Sequence, residues 1–100
     1  VETPEGVVAD VVRPNHPILA GLGGEWPPLL GFNELTPKAD GEVLAKAGEH
    51  PLLAVRTVGR GRTLAWASDI GPHWCPEPFL KWEGYGRLWR QAIGWLAGRD

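Results

Sequence analysis

The chain has 100 residues, of which 43% are hydrophobic and 22% are charged, and its net charge is −2. This length suits a single domain, and this composition is typical of a folded protein rather than a disordered segment. The near-neutral charge excludes a protein that binds nucleic acid through clustered cations. No apolar run approaches the roughly 20 residues needed to cross a bilayer, so we expect a cytoplasmic protein with neither a nucleic-acid nor a membrane partner.

The composition also predicts that the sequence is a piece of a longer polypeptide. It begins at Val1 and contains no Met. Six Trp make it Trp-rich, while 14 Gly and 10 Pro indicate many tight loops. The single Cys excludes an internal disulfide. We therefore predict one partial domain over residues 1–100.

Short elements are predicted for the first part of the chain. β-Branched residues predict a strand over residues 7–12, which Pro14 ends. Residues 15–22 predict one helical turn, because Asn15 is a suitable N-cap, proline is common in a first turn and glycine often ends a helix. The apolar residues that this turn would bury are Ile18, Leu19 and Leu22.

The middle of the chain predicts further strands and a hairpin. The strand-like segments are residues 30–35, 42–47, 52–58 and 62–67, with a loop over residues 48–51. The last two strands are joined by Gly59-Arg60-Gly61. Because glycine tolerates a positive φ, this segment predicts a hairpin with a three-residue connection.

Residues 79–97 carry apolar side chains at helical spacing and predict one long C-terminal helix. The face predicted to pack on the core consists of Trp82, Tyr85, Trp89, Ala92, Ile93 and Leu96, widened by Leu88 and Trp95. The face predicted to point away carries Lys81, Arg87, Arg90 and Gln91. For the isolated chain, these elements predict an α+β fold of mostly antiparallel strands plus the one helix.

The loop over residues 68–78 follows a predicted strand, a position where many folds place catalytic groups. His73 is the natural acid or base, because imidazole titrates near neutral pH. Asp69 is placed to orient it. The alternative is structural: Asp69 caps the turn, and His73 bonds to the backbone of a proline-rich loop.

Cys75 in the same loop has two interpretations, a nucleophile or a structural thiol. A nucleophilic Cys needs a lowered pKa from a cation or a helix N-terminus, and the crowding by Trp74 and Pro76 favours the structural role. Neither CxxC nor HxxxH spacing is present. We therefore predict neither a metal nor a cofactor, even with the distant His16 and His50 included.

A small-molecule ligand is the partner that the loop residues favour. Trp26 and Trp74 both lie in predicted loops, where an indole ring can stack on a ligand, and Asn33 adds a polar group. The helical aromatic residues follow core spacing instead. Three arginines of the hairpin, which we interpret as a solvated edge, are Arg56, Arg60 and Arg62.

Several segments together resemble the putative glutamine amidotransferase family, a bacterial branch of the class I glutamine amidotransferase-like superfamily. The most specific are ASDIGPHW over residues 67–74 and WEGYGRLW over residues 82–89. Less specific are HPILAGL (16–22), WPPLLGFN (26–33), PLLAV (51–55) and GRGR (59–62). The resemblance covers essentially the whole chain, but only the C-terminal part of the family domain.

The resemblance implies a flavodoxin-like α/β domain of more than twice this length. Its catalytic members use a Cys on a sharp turn, typically G-x-C-x-G, with a His and a Glu later in the chain. That turn is absent from this sequence, and His73 matches the position of the His. The family pattern has a Glu two residues later, where this sequence has Cys75, and Glu77 follows four residues after the His.

Two functions follow as alternatives. In the first, the chain is the C-terminal part of a glutamine amidotransferase-like domain in which His73 transfers protons, Asp69 orients it, and Glu77 is a further candidate. In the second, the chain is a non-enzymatic ligand-binding or assembly module of the same fold. In either case we expect a homo-oligomer or association with the N-terminal part of the domain, because an isolated chain would leave a sheet edge and an apolar helix face uncovered.

Overall fold

A computed structural model of the chain describes residues 2–22, 24–34, 39–68 and 75–98. In these residues there are six strands, two α-helices and a short 3-10 helix at Pro17–Leu19. The strands are β1 (Glu2–Val7), β2 (Asp10–Val11), β3 (Leu29–Gly31), β4 (Glu42–Ala47), β5 (His50–Val58) and β6 (Gly61–Trp66). The helices are α1 (Glu77–Leu80) and α2 (Glu83–Leu96).

The strands form two antiparallel sheets. One contains β2, β4, β5 and β6 in that order, and the other pairs β1 with β3. Leu53 lies opposite Trp66 and Val55 opposite Leu64 in the β5–β6 pair. The prediction of an α+β fold with mostly antiparallel strands is confirmed, and the predicted strand over residues 42–47 matches β4.

The first predicted strand is divided between the two sheets. Val7 ends β1, and the chain crosses at Val8 and Ala9 to begin β2 at Asp10. The prediction of one strand over residues 7–12 is therefore wrong, since its residues pair with two different partners. The predicted strand over residues 30–35 corresponds to the shorter β3, and residues 35–38 lie outside the described part of the chain.

Both turns that flank β5 are shorter than predicted. The β5–β6 hairpin is confirmed, but its connection is Gly59-Arg60 alone, because Gly61 already pairs with Val58. Gly59 has a φ of +58°, as this tight turn requires. The predicted loop over residues 48–51 is also too long: His50 and Pro51 belong to β5.

The predicted turn after β2 is a 3-10 helix that buries the expected residues. Ile18 and Leu19 are 0% exposed and Leu22 is 5% exposed. The N-cap is His16 rather than Asn15, because the Ile18 N–H donates to His16 Nδ1 at 3.1 Å. Gly21 then takes a φ of +78° and ends the turn.

The predicted C-terminal helix is two helices, α1 and α2, separated at Lys81 and Trp82. Trp82 is the N-cap of α2 with an extended ψ of 135°, and its ring lies where a side chain on Gly84 would be. The buried residues of α2 are Gly84, Leu88, Ala92 and Trp95. Ile93 is 63% exposed and Leu96 is 38% exposed, so their assignment to the core face is wrong.

The buried face of α2 differs from the prediction because α2 also packs on the 3-10 helix. Gln91 Nε2 donates to the Ile18 carbonyl at 2.6 Å, and Arg87 Nε donates to the Ala20 carbonyl at 2.8 Å. Both side chains were predicted to point away from the fold. Instead both hydrogen-bond to the segment 16–22, and Arg87 belongs to the segment 82–89; both segments carry the family resemblance.

The core brings the sheets and helices together around Phe79, which is 0% exposed. Its ring lies 5.4 Å from the Trp82 ring and 6.2 Å from the Trp66 and Tyr85 rings. Arg62 Nη1 donates to the Trp95 carbonyl at 2.8 Å and so caps the C-terminal end of α2. No helix in the described residues is long and apolar enough to cross a membrane.

Candidate functional site

The predicted site follows the end of β6, and the structure describes both flanks of it. Asp69, His73 and Trp74 lie outside the described residues. The preceding residues, Ala67 and Ser68, and the following residue, Cys75, are described. The geometry is therefore described only for the residues on either side of the segment 69–74.

Ala67 and Ser68 are held by hydrogen bonds to β5 and to the chain around the end of β3. The Ser68 Oγ donates to the Gly31 carbonyl at 2.6 Å. The Asn33 N–H donates to the Ala67 carbonyl at 2.6 Å, while the Ala67 N–H donates to the Leu52 carbonyl at 2.8 Å. The end of β6 is thus held by two other segments, and Asn33, a predicted ligand-binding residue, is exposed beside it.

Cys75, at the other flank of the segment 69–74, is completely buried. Its exposure is 0%. Just beyond it, the Phe79 N–H donates to the Pro76 carbonyl at 2.9 Å at the start of α1. A nucleophile must be reachable by its substrate, so this burial agrees with the structural interpretation of Cys75.

Glu77 lies in the first turn of α1, with its side chain 75% exposed. Its carboxylate is 3.3 Å from the ammonium group of Lys81, one turn later in the chain. An exposed pair at this spacing stabilises a short helix slightly. In this structure the carboxylate forms an ion pair that stabilises α1.

Trp26 lies in the core rather than on a ligand surface. It is 1% exposed, and its Nε1 donates to the Leu22 carbonyl at 2.8 Å. Its ring lies 5.2 Å from the Trp82 ring and 6.5 Å from the Phe79 ring. Because these neighbours cover it, the ring has no open face on which a ligand could stack.

A histidine–carboxylate pair lies next to Asn33 along the chain. His50 Nε2 is 3.2 Å from Glu34 Oε2, and the two side chains are 41% and 57% exposed. The Phe32 ring lies 5.8 Å from the His50 ring. Sequence reasoning considered His50 only as a distant metal ligand, because nothing in the spacing of Glu34 and His50 indicates that they meet.

The hairpin arginines have structural partners. Arg56 Nε donates to Asp40 Oδ1 at 2.8 Å, and the Arg62 guanidinium lies 4.7 Å from the Trp95 ring while it caps α2. Arg60 lies exposed in the turn. In the described part of the chain, no group of three or more His, Cys, Asp or Glu residues is placed to hold a metal ion.

A groove of about 350 Å³ between residues 21–25 and the first turns of α2 contains none of the predicted site residues. Its charged lining is mixed, and Arg87, which lines it, already donates to the Ala20 carbonyl. At the end of β6 the structure describes one predicted site residue, the exposed Asn33.

Comparisons with known proteins give one family and two similar structures. The model of a family described as "Putative glutamine amidotransferase" matches residues 1–98. Cytoplasmic protein STM3548 from Salmonella typhimurium is 33% identical, with a TM-score of 0.90 over 96% of this chain and 39% of that one. Cytoplasmic protein STM1381 from Salmonella typhimurium LT2 is 38% identical, with the same TM-score and coverage. The chain thus spans about two-fifths of each solved relative. The comparison with curated proteins finds no match.

Proposed function

Because this chain belongs to the family of putative glutamine amidotransferases, we propose that it is the C-terminal part of a class I glutamine amidotransferase-like domain. The complete domain is proposed to be flavodoxin-like and to hydrolyse the side-chain amide of glutamine or a related carboxamide. In that reaction His73 transfers protons and Asp69 orients its ring. The thiol nucleophile comes from the part of the domain outside this chain.

One observation supports the proposal: the two residues that flank the segment 69–74, Ser68 and Cys75, are both fixed in the fold. Ser68 is tied to the Gly31 carbonyl at 2.6 Å, and Cys75 is buried with 0% exposure. Catalytic groups commonly sit on loops that a rigid scaffold positions. Two fixed flanks would limit where His73 and Asp69 can lie, as proton transfer at a defined atom requires.

The state of Cys75 supports a nucleophile from elsewhere in the domain. The chain contains one Cys and no G-x-C-x-G turn. A thiol buried in the core cannot reach a carboxamide carbon. The solved relatives extend well beyond the aligned region, since the chain covers 39% of each, so there is room in such a domain for a separate nucleophile turn.

The experiment is a glutaminase assay on the full-length protein that carries this sequence. Wild type should release glutamate and ammonia from glutamine. His73→Ala should lower kcat by about 100-fold or more, the usual contribution of an acid–base group, and Asp69→Asn should lower it less. His16→Asn is the matched control, because it changes a histidine that caps the 3-10 helix. Absence of glutamate release from the wild type would refute the amidotransferase function.

A second candidate is a non-enzymatic ligand-binding or assembly module, favoured by the burial of the only Cys in the chain. Asn33 and Trp74 would then contact a small molecule near the end of β6. Binding of glutamine without turnover, weakened by Asn33→Ala, would support it. For either function we propose a cytoplasmic location, because both Salmonella relatives are named cytoplasmic proteins.

A further inference from the structure

Strand β6 forms one edge of the four-stranded sheet in the described part of the chain, where the strand order is β2, β4, β5 and β6. It has six residues, Gly61–Trp66, and pairs with β5 without a shift in register. The opposite edge, β2, contains only Asp10 and Val11. The longer of the two edges of this sheet is therefore β6.

The backbone of β6 carries hydrogen-bonding groups on the side away from β5. The Ala67 N–H donates to the Leu52 carbonyl of β5 at 2.8 Å. Because the two sides alternate along an antiparallel strand, Thr63 and Ala65 also direct their N–H and carbonyl groups towards β5. Leu64, which lies between them, directs its N–H and carbonyl groups away from β5 and off this edge of the sheet.

Strand β6 lacks the features that usually protect an open sheet edge. Proteins prevent such edges from pairing by keeping them short, by bulges, or by proline and charged residues. The edge at β2 is protected by its shortness. The stretch 63–66 of β6, Thr-Leu-Ala-Trp, contains neither proline nor charge, and the Arg62 guanidinium is bound to the Trp95 carbonyl at 2.8 Å. An edge of this kind is expected to be covered by another strand.

Helix α2 carries an exposed apolar side chain on the flank that contacts β6. The Trp89 ring on this flank lies 5.3 Å from the Trp66 ring at the end of β6. Ile93 follows Trp89 by one helical turn and therefore lies on the same flank, yet it is 63% exposed. On another side of α2, Gln91 donates to the Ile18 carbonyl of the 3-10 helix. A strand added beside β6 would lie beneath Ile93 and cover it.

The length of the solved relatives favours a strand from the rest of the domain as the partner of β6. The structural match covers 96% of this chain but only 39% of each relative. Most of each relative therefore lies outside the matched region, and that part is long enough to supply further strands.

We propose that the four-stranded sheet continues beyond β6 into the rest of the domain. A strand from outside this chain pairs with β6, hydrogen-bonds to the Leu64 backbone and lies beneath Ile93. This inference shares with the proposed function only the premise that the domain is longer than this chain. Failure of the amidotransferase chemistry would therefore leave it unaffected.

The test is amide hydrogen exchange on the full-length protein, followed by NMR. The Leu64 amide should exchange within roughly tenfold of the rates of the Thr63 and Ala65 amides, because all three donate within a ladder. Interstrand nuclear Overhauser contacts of the Leu64 amide should lead to residues outside this sequence. A Leu64 amide that exchanges at least about 100-fold faster than its two neighbours would overturn the proposal, because the edge would then be open. Protection that is lost on dilution, as a dimer dissociates in sedimentation, would also overturn it, because the strand would then come from a second copy.

A pair of variants tests whether the added strand lies beneath α2. In the full-length protein, Ile93→Gln should speed exchange of the Leu64 amide about tenfold, because the strand loses its apolar cover. Val12→Gln is the matched control: Val12 is 42% exposed and follows β2 at the opposite edge, so this change should leave Leu64 exchange unchanged. Equal exchange of Leu64 in the two variants would contradict the position beneath Ile93.

Discussion

His16 shows how one side chain can close a turn and join it to a helix. Its Nδ1 accepts the Ile18 N–H at 3.1 Å, and its ring meets the Trp95 ring edge-on at 5.2 Å. The first contact acts as an N-cap, a role that Asn or Asp usually performs. The second ties the 3-10 helix to the end of α2. The His-Pro-Ile sequence of the family resemblance is thus explained here by structure rather than by catalysis.

We expect His16→Ala to lower the free energy of unfolding by about 1 kcal/mol, the usual cost of losing an N-cap acceptor, and somewhat more because the ring contact with Trp95 is lost as well. His16→Asn keeps a cap acceptor without the ring and should lose less. Urea unfolding of the full-length protein measures both. Equal losses for the two variants would mean that the cap contributes nothing and that the ring contact accounts for the effect.

At the scale of single residues, the sequence could predict chemistry but not contacts. The burial of Cys75 follows the expectation for a crowded, structural thiol. The burial of Trp26 does not follow from its position beside two prolines, because a loop residue is covered only when distant segments fold over it. In the same way, His50 and Glu34 meet through the path of the segment after β3, which no local pattern encodes.

Two of the three glycines in helix α2, Gly84 and Gly94, have sharply different surroundings. A Cβ on Gly84 would collide with three ring atoms of Trp82, whereas a Cβ on Gly94 meets nothing within 4 Å. Trp82 is the N-cap residue of α2 and packs on Trp26 at 5.2 Å. Gly84 therefore allows the indole to cover the start of the helix and to separate α2 from α1.

We expect opposite effects from the same substitution at these two glycines. Alanine is favoured over glycine in a helix by about 1 kcal/mol, so Gly94→Ala should raise the free energy of unfolding by up to that amount. Gly84→Ala should lower it, because displacing the Trp82 ring costs more than the helix gains. Thermal unfolding of the two variants, with tryptophan fluorescence as the readout, checks both. A stabilised Gly84→Ala variant would contradict the packing argument.

At the scale of elements, the periodicity of apolar residues predicted which segments are helical or extended. Tertiary contacts determined which face of α2 is buried and how long the hairpin connection is. The helical spacing of residues 79–97 is correct for α2, yet spacing alone does not say which neighbours the helix meets. Gln91 and Arg87 donate hydrogen bonds to the Ile18 and Ala20 carbonyls, which their spacing in α2 could not predict. The Ile93 side chain remains exposed to solvent. The hairpin was predictable from its glycines, but its length depended on Gly61 joining the ladder.

Across the whole molecule, the exposed apolar side chains and the greater length of the relatives both indicate that part of this surface is covered in the full-length protein. Ile93 is 63% exposed and Leu96, about one turn later on α2, is 38% exposed, so α2 presents neighbouring apolar side chains to solvent. The chain covers 39% of each solved relative. We expect the outer face of α2 around Ile93 to pack against the remainder of the domain in the full-length protein, and to meet a second copy when residues 1–100 are expressed alone.

One variant, Ile93→Gln, tests this expectation in both the isolated chain and the full-length protein. In the isolated chain, Ile93→Gln should weaken self-association by about tenfold, since burying an isoleucine contributes roughly 1.5–3 kcal/mol and 1.4 kcal/mol is a factor of ten. In the full-length protein the same variant should instead lower the free energy of unfolding. Val58→Thr, at the hairpin tip, is the control and should change neither. Sedimentation over a range of concentrations and urea unfolding give the two readouts. An isolated chain that stays monomeric at high concentration, together with an unchanged stability of the full-length variant, would show that this face of α2 is simply exposed to solvent.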